Sequence, residues 1–456
     1  MNEDFPVPES AEILVIGGSV AGLTTATVAK RYYPDKSVVI IRRDSPVPIP
    51  CGIPYLFGTI GAIEKNLVPD AVLDFEGIEL VEDTVVAIDR GARKVTLSAG
   101  STIAYEKLVL ATGSTPAVPP IPGADKKNVF VIRKNIEALG EFLAVLKAAQ
   151  DVVIIGGGFI GVEFAEEICR HSAKNVTIVE VLPHCLALSF DEPFCVAAEK
   201  ELTAAGVKIL TNQKVAEITG GGKVSGVRLS SGEEVKADMV LISAGVRPNV
   251  ELAVQAGLKA DPATGIWVDR AMRTEDPHIF ACGDCAAKTS FFTGKTSFVR
   301  LASVATMEAR TVVANLYTIR RENPGAIGVA STVVGKLTLG AAGLTEELAR
   351  REGFAVLTSE ASSPNRHPKA MPGMRETRVK LVFEKNSGKI LGGQVLGGES
   401  AGELINVIAA CILNRMTYDQ IALLQMGTHP LLTAAPTNYY LTVAAEAAAQ
   451  KALAGK

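Results

Sequence analysis

The sequence lacks several features that would place it at a membrane or on nucleic acid. None of its apolar stretches approaches the roughly 20 residues that a transmembrane helix needs. Its formal net charge is −3, so no broad basic field indicates a nucleic-acid partner. Residues 1–11 are acidic and lack the basic start and apolar core of a signal peptide. These absences predict a cytoplasmic protein with no membrane span and no nucleic-acid partner.

Cysteine is scarce, and its spacing does not suit a disulfide framework. Seven cysteines are spread along 456 residues, which favours a reducing compartment. Cys282 and Cys285 form the only close pair, and without a second such pair we interpret them as structural and predict no metal site. With 48% hydrophobic and 21% charged residues, the composition is that of a globular protein, and its length indicates two to four domains.

One cysteine, Cys51, stands apart in the proline-rich stretch Pro48–Tyr55. It follows the apolar run Val38–Ile41, which is typical of a buried parallel strand. The next cysteine is Cys169, so a local pair of redox cysteines is absent. A lone cysteine is most often a small apolar core residue. Two nucleotide-binding motifs in the same chain favour the alternative, a redox cysteine with a supply of electrons.

The first nucleotide-binding motif joins the strand Glu12–Ile16 to the helix Leu23–Arg31 through the glycine turn Gly17–Gly22. Such a turn directs backbone N–H groups of the helix N-terminus at a pyrophosphate. Ser19 stands where the middle glycine usually lies, and serine is small enough to keep the close approach. The next strand ends at Arg42, where an acidic residue would normally bind a ribose hydroxyl. Two interpretations remain: Arg42 contacts adenosine or its phosphate, or it is solvated.

The second motif follows the strand Asp151–Ile155 and matches G-x-G-x-x-G without substitution at Gly156–Gly161. The helix Val162–Arg170 comes next, and Glu180 ends the following strand at the spacing expected of a ribose-binding carboxylate. Val181, which is not basic, follows Glu180, so a 2′-phosphate would be repelled and left without a partner. The motif predicts NADH rather than NADPH. The alternative, a glycine turn without a ligand, is disfavoured by the matching carboxylate.

Strands followed by glycine-containing turns occur again at Thr112-Gly113, at Gly245 and at Gly283-Asp284. Asp284 could reach a polyol hydroxyl or cap the helix that begins near Arg300. From about residue 325 strands and helices alternate without a nucleotide motif, which indicates a separate α+β domain. The tail carries His429, Tyr439 and Tyr440, and we expect exposed aromatic residues there to form a partner surface.

Taken in order, these motifs resemble the pyridine nucleotide-disulfide oxidoreductases that use FAD and a single active-site cysteine. That group includes coenzyme A-disulfide reductases, NADH oxidases and peroxidases, and NAD(P)H sulfur or polysulfide reductases. The resemblance covers nearly the whole chain and rests on Gly17–Gly22, Cys51–Tyr55, Ala111–Ser114, Gly156–Glu163, Gly245–Asn249, Cys282–Cys285 and His429-Pro430. It implies an α/β fold with two Rossmann-like dinucleotide-binding domains and a C-terminal α+β dimerisation domain. The implied domains are FAD-binding at 1–116 and 245–325, NAD(P)H-binding at 117–244, and dimerisation at 326–456.

The resemblance also implies a set of cofactor-binding residues. Asp284 would hold the ribityl chain, and the helix that begins near Ala302 would direct its N-terminus at the flavin. Phe159 would cover the flavin and swing aside for the nicotinamide, or simply pack beneath its helix. The full implied set is Gly17, Ser19, Gly22, Arg42, Val85, Thr112, Gly113, Gly156, Gly158, Phe159, Ile160, Gly161, Glu163, Glu180, Gly245, Asp284 and Ala302.

The implied reaction passes electrons from NADH through FAD to Cys51 and then to a small disulfide, persulfide or polysulfide, with coenzyme A compounds among the candidates. His429, Tyr439 or Tyr440 of the partner subunit in a homodimer with shared active sites would protonate the leaving sulfur. The two tyrosines have interface packing as an alternative role. The sequence does not show which of these three residues is the acid.

Three departures from the family pattern bear on the substrate. Val20 stands where NADH oxidases and peroxidases usually place a histidine, Pro50 precedes the cysteine in place of the usual Asn or Ser, and Ala434 replaces the glutamate that disulfide reductases pair with the C-terminal histidine. Reduction of oxygen or peroxide through a cysteine sulfenate is therefore the second hypothesis. The others are reduction of an electron-carrier protein with a merely structural Cys51, and nucleotide sensing without turnover.

Overall fold

The computed structural model describes residues 7–368 and 370–455. Its first sheet has seven strands and comes mainly from the first 110 residues. Five of its strands are parallel, and all of these except Glu79–Glu82 are largely buried, which suits their mostly apolar sequences. The strands are Ser10–Ile16, Val38–Arg42, Glu79–Glu82, Val85–Asp89, Lys94–Leu97, Thr102–Leu110 and, from far along the chain, Ile279–Ala281.

Helices cover this sheet, whereas two of the short 3₁₀ turns, Pro50–Leu56 and Ile63–Asn66, pack against the helices Phe159–His171 and Ile136–Ala148. Val20–Tyr32, which follows the first glycine turn, packs against Ala302–Asn315, so residues from both ends of the predicted split domain share one core. The helices are Val20–Tyr32, Ala71–Glu76, Glu251–Gln255 and Ala302–Asn315, and the 3₁₀ turns are Pro50–Leu56, Ile63–Asn66 and Gly283–Cys285.

A second parallel sheet carries the second glycine motif. Its five strands run in the spatial order Lys208–Leu210, Asn175–Val179, Asp151–Ile155, Met239–Ile242 and Val129–Phe130. Its helices are Ile136–Ala148, Phe159–His171 and Glu192–Ala204, and an antiparallel sheet of Val215–Thr219, Gly226–Leu229 and Glu234–Lys236 lies beside it.

The chain enters and leaves this second unit at one place. Ser114–Pro116 pairs antiparallel with Val246–Pro248, and the side chain of Asn249 donates to the Thr112 carbonyl at 2.8 Å. The two segments that connect the first unit with the second therefore lie side by side. The boundaries at 116/117, 244/245 and 325/326 stay predictions. Two short hairpins complete this region, Ala260–Asp261 with Gly265–Ile266 and Lys288–Thr289 with Thr296–Ser297.

The third unit is an antiparallel sheet covered by helices. Its strands lie in the order Val329–Val334, Leu337–Gly343, Ile390–Gly397, Glu376–Glu384 and Val356–Pro364. The strand Val356–Pro364 is rich in serine and carries no long apolar run, so the hydrophobic pattern of the sequence does not indicate it. The helices are Glu346–Arg351, Ala401–Leu413, Tyr418–Ala422 and Tyr440–Ala454, with a 3₁₀ turn at Pro436–Asn438.

The expectation of exposed tail aromatics is wrong for both tyrosines. Tyr439 and Tyr440 are 7% and 2% exposed because the helix Tyr440–Ala454 packs against the sheet of the same chain. The large apolar side chains exposed in this region are those of Leu423, Leu431, Leu432, Val443 and Leu453. The tyrosines therefore contribute to the core of the third unit.

A salt bridge and two hydrogen bonds join the second and third units. Lys380 Nζ lies 2.8 Å from both Asp191 and Glu346, and Gln394 exchanges two hydrogen bonds with Asp191. Among residues 7–368 and 370–455, no helix is both long enough and apolar enough to span a membrane, and no cluster of three His, Cys, Asp or Glu side chains could hold a metal ion.

Candidate active site

Cys51 lies in the first turn of the 3₁₀ helix Pro50–Leu56, in the segment that follows the parallel strand Val38–Arg42. Proline at the first position suits this helix because its missing N–H has no helical partner there. Of the seven cysteines, Cys51 alone is exposed; Cys169 is half-buried and the others are buried. Because no other cysteine of the chain is exposed, the thiol of Cys51 must react with a group outside the chain.

Asn66 fixes the start of the Cys51 turn. Its side chain donates to the Ile49 carbonyl at 2.9 Å, and its own carbonyl accepts from the Ile49 amide at 2.8 Å. A Cβ on Gly52 would lie 2.0 Å from Asn66 Oδ1. Gly52 therefore lets the backbone beside Cys51 pack directly on the buried Asn66 side chain.

In the first glycine turn, the absence of side chains lets backbone segments approach each other closely. Gly17 has φ +121°, and a Cβ on Gly22 would lie 1.7 Å from the Gly17 carbonyl oxygen. Ser19 precedes the helix Val20–Tyr32 in an extended conformation, and its side chain makes no capping bond. The first amides of that helix are thus left without a side-chain partner. This arrangement fits an FAD pyrophosphate at Gly17, Ser19 and Gly22.

Arg42 closes the far side of this turn. Its stem packs against Gly18, and its guanidinium donates to both carboxylate oxygens of Asp70 at 2.7 and 2.6 Å. The side chain is almost fully buried, so the interpretation of Arg42 as a solvated residue is wrong. Its Nε is buried without a partner. A contact of Arg42 with adenosine stays a prediction.

Asp284 and Ala302 are the residues that the resemblance assigns to the flavin tail and ring, and these roles stay predictions. Asp284 Oδ2 accepts a hydrogen bond from Ser114 at 2.7 Å, and Asp284 does not cap the next helix, whose N-cap is Leu301 without a side-chain bond. That helix begins at Ala302, follows Leu301, and has no side-chain cap, so its N-terminal amides remain open to an anionic ring.

The remaining residues implied for this part of the site are backbone positions. Gly113 and Gly245 have φ values of +71° and +94°, in the left-handed region that glycine adopts readily. The Thr112 hydroxyl donates to the Asn249 carbonyl at 2.8 Å, so the turn at Thr112 is tied to the Gly245 turn. Val85 begins the strand Val85–Asp89 and is half-buried.

The second glycine turn repeats this construction. Gly156 has φ +108°, and a Cβ on Gly161 would lie 2.0 Å from the Gly156 carbonyl oxygen. The Glu180 side chain, buried at the end of its strand, accepts hydrogen bonds from the amides of Gly157 and Leu182. Gly158 and Ile160 are exposed at the start of the helix Phe159–His171.

Phe159 and Glu163 project from the first turns of that helix. Phe159 is half-buried, and its ring meets Phe190 edge-on at 6.2 Å. Glu163 accepts a hydrogen bond from Thr332 of the third unit at 2.9 Å, and burial raises the pKa of its carboxyl to about 7. Burial, with a smaller contribution from Glu163, also raises the pKa of Tyr55, which keeps that phenol protonated.

The three proposed acids differ in accessibility. His429 is exposed, and its Nδ1 accepts from the Leu431 amide at 3.2 Å, so a neutral ring carries its proton on Nε2. The rings of Tyr439 and Tyr440 lie 4.8 Å apart, and burial raises the pKa of both. A meeting of these residues with Cys51 of a second copy stays a prediction.

Some residues that shape the site were missed at the sequence level. Asn66, Ser114 and Thr332 act through hydrogen bonds to positions distant in the sequence, and neither Asn66 nor Thr332 belongs to a motif. Only Ser114 had a signal, since it ends the Thr112-Gly113 turn.

Comparison with known proteins agrees with this geometry. The family model described as pyridine nucleotide-disulphide oxidoreductase matches residues 11–309, and the corresponding dimerisation-domain model matches residues 329–439. The chain is 30% identical to the NADH oxidase of Methanocaldococcus jannaschii over 453 residues, covering 96% of this chain and 98% of that protein.

Two further relatives act on sulfur by name. The chain is 33% identical to the CoA-dependent NAD(P)H sulfur oxidoreductase of Pyrococcus furiosus, covering 86% of this chain and 89% of that protein. The solved NAD-dependent persulfide reductase from A. fulgidus superposes with a TM-score of 0.89 and 31% identity, covering 96% of this chain and 83% of that one. The chain belongs to the pyridine nucleotide-disulphide oxidoreductase family and is an FAD-dependent NAD(P)H oxidoreductase.

Proposed function

We propose that the protein is an NADH-dependent reductase of small disulfides, persulfides or polysulfides, with Cys51 as its redox thiol. The observation that carries this proposal is that Cys51, in the 3₁₀ turn that follows the strand Val38–Arg42 along the chain, is the one exposed cysteine of the seven. A lone thiol cannot store an electron pair as an internal disulfide. It must exchange with an external sulfur or oxygen.

The two glycine turns would bind and orient the cofactors. Gly17, Gly22 and Asp284 would hold FAD, and the turn Gly156–Gly161 with Glu180 would hold NADH. The chemistry that bound FAD would supply is to accept a hydride from the nicotinamide and to pass the electron pair on to sulfur. Phe159, at the start of its helix, would exclude water from the space between the two rings.

Cys51 would act as the nucleophile on sulfur. Its thiolate attacks one sulfur of the substrate, the substrate S–S bond breaks, and a mixed disulfide forms on Cys51. The displaced sulfur leaves as a thiolate and takes a proton. Of the three candidate acids, His429 is the one whose side chain is open to solvent and carries an N–H that makes no bond to its own turn.

Oxygen or peroxide reduction is the second candidate. The relative from M. jannaschii is named an NADH oxidase, and its similarity extends over nearly the whole chain. Against this alternative stands Val20, an apolar residue in the first glycine turn where the NADH oxidases and peroxidases usually place a histidine. A sulfenate on Cys51 would then lack that proton donor.

The Cys51→Ser variant tests the proposal. NADH should still reduce the flavin, while turnover of coenzyme A disulfide or polysulfide should fall by orders of magnitude, since a nucleophile is lost. Cys169→Ser, which removes a half-buried thiol, is the matched control and should keep turnover. Full disulfide turnover by Cys51→Ser would instead support reduction of an electron carrier. Faster turnover of oxygen or peroxide than of any disulfide in the unaltered protein would support the oxidase.

The dimerisation domain also supports a homodimer with shared sites. Because His429, Tyr439 and Tyr440 lie in that domain, a second copy would bring one set of them to each Cys51. This arrangement agrees with the open position of the Cys51 turn.

A further inference from the structure

Glu167 is a fully buried glutamate on the helix Phe159–His171, one turn beyond Glu163. Both of its side-chain oxygens accept hydrogen bonds from one residue, Thr59. Oε1 accepts from the Thr59 backbone amide, and Oε2 accepts from the Thr59 hydroxyl at 2.9 Å. A buried side chain of this kind that satisfies two donors of a distant segment fixes that segment in place.

The segment fixed in this way carries Cys51. Thr59 follows the 3₁₀ helix of Cys51 after only two residues, and the Ile60 amide donates to the Tyr55 carbonyl at 2.9 Å, which closes the turn. At Gly58 the backbone packs so tightly on the His171 ring that a Cβ would lie 2.2 Å from it. Gly58 and Thr59 thus attach the end of the Cys51 turn to the helix Phe159–His171.

The other end of that helix belongs to the nucleotide turn. It begins at Phe159, within the Gly156–Gly161 motif. Helix and Cys51 turn therefore cannot shift relative to each other without breaking the bonds between Glu167 and Thr59. The contact between Thr59 and Glu167 joins residues that are 108 positions apart in the sequence. It connects the helix of the second glycine turn, which would orient the nicotinamide, with the segment that carries Cys51.

We propose that Glu167, through Thr59, is a positioning residue that sets the place of Cys51 relative to the bound cofactors. This inference rests on the proposed function, because it assumes that Cys51 takes up the electrons. Glu167 touches neither Cys51 nor the two glycine turns, so its effect should appear only in the step that uses Cys51. The reduction of flavin by NADH should not depend on it.

Glu166 provides a matched comparison. It is the adjacent residue of the same helix and is also buried, but its side chain bonds to Arg170 and to the Gly335 amide of the third unit. Loss of Glu166 would disturb the helix and its packing without touching the Cys51 turn. Effects common to Glu166 and Glu167 variants are therefore structural, and effects confined to Glu167 concern Cys51.

The experiment measures both half-reactions of the FAD-loaded protein by rapid mixing. Glu167→Met, which removes both acceptors and keeps the bulk, should slow reoxidation of the reduced flavin by coenzyme A disulfide at least tenfold. Reduction by NADH should stay within twofold, and alkylation of Cys51 by iodoacetamide should stay within threefold. Thr59→Val, at an exposed position, should slow reoxidation at least threefold if Glu167→Met does not fold. Glu167→Gln, which can accept from the Thr59 amide and donate to its hydroxyl, should restore most of the rate.

Three results would overturn the inference. The first is unchanged reoxidation in Glu167→Met or, where that variant does not fold, in Thr59→Val, and the second is an equal loss in Glu166→Met. A parallel fall of both half-reactions would do the same, since it would show a general structural role. Failure of the proposed function has a different signature, because Cys51→Ser would then keep disulfide turnover. If Cys51→Ser loses turnover and the variants that remove the Thr59 bonds keep it, this inference alone fails.

Discussion

The side chain of Glu180 accepts a hydrogen bond from the backbone amide of Gly157 at 2.5 Å. A second bond from the Leu182 amide at 2.8 Å holds its other oxygen, so the carboxylate cannot turn away from the glycine turn. Glu180 ends a parallel strand, and its position beside the turn is where the ribose of a dinucleotide is expected. A 2′-phosphate would meet this fixed negative charge.

We expect the protein to prefer NADH over NADPH by at least about tenfold in kcat/KM, which corresponds to about 1.4 kcal/mol. Glu180→Gln keeps the size of the side chain and removes its charge, so it should reduce the preference mainly by improving kcat/KM with NADPH. Steady-state kinetics with both nucleotides measure this directly. A preference for NADPH in the unaltered protein would show that another residue outweighs Glu180.

The purified protein should contain one FAD per chain, and Asp284 should govern how tightly FAD is held. Asp284→Ala should weaken FAD retention by about 1–3 kcal/mol, the usual effect of leaving buried polar partners unsatisfied. The ratio of flavin to protein absorbance after dialysis reports the loss. Ser114→Ala, which removes only the hydroxyl that bonds to Asp284, should have a smaller effect. A chain that remains colourless after reconstitution with FAD would contradict the assignment of the first glycine turn.

Glu163 should make stability depend on pH near neutrality. Burial raises the pKa of its carboxyl to about 7, so the folded state binds this proton more tightly than the unfolded state does. The stabilisation is complete below the unfolded pKa of about 4.5 and is lost as pH rises through 7. Between pH 6 and 8 the loss should approach about 1.4 kcal/mol. The Tm of the unaltered protein, relative to that of Glu163→Gln, should fall over this interval. A difference in Tm that is constant or increases with pH would contradict an ionising Glu163.

The sequence predicted those parts of the fold that are encoded locally. Strand, glycine turn and helix follow one another within about 20 residues at Gly17 and again at Gly156, so the sequence pattern alone locates both turns correctly. The family resemblance implied a helix that begins near Ala302, and the structure has the helix begin there.

Contacts between distant segments could not be predicted in this way. Thr59 bonds to Glu167 across 108 residues, and neither residue belongs to a recognisable pattern. The prediction that Tyr439 and Tyr440 are exposed was wrong for a related reason. A pair of tyrosines near the end of a chain fits an exposed partner surface or a core, and only the packing of their helix on the sheet decides between them.

The last prediction concerns active sites shared between two chains. Truncation of the tail is a poor test because the helix Tyr440–Ala454 belongs to the core of the third unit. A variant with His429→Ala, Tyr439→Phe and Tyr440→Phe removes the three candidate acids and keeps that packing. We expect this tail variant and Cys51→Ser each to be nearly inactive with disulfides as homodimers.

Mixing the two inactive chains under conditions that exchange subunits should restore activity. In a hybrid dimer with shared sites, one site combines an intact Cys51 with an intact tail from the other chain, and the second site has neither. Random exchange of equal amounts makes half of the dimers hybrid, so about a quarter of the wild-type activity should return. If each Cys51 instead works with the tail of its own chain, every site in the mixture lacks one component and no activity returns. Recovery therefore distinguishes a site completed by the partner subunit from one that a single chain contains.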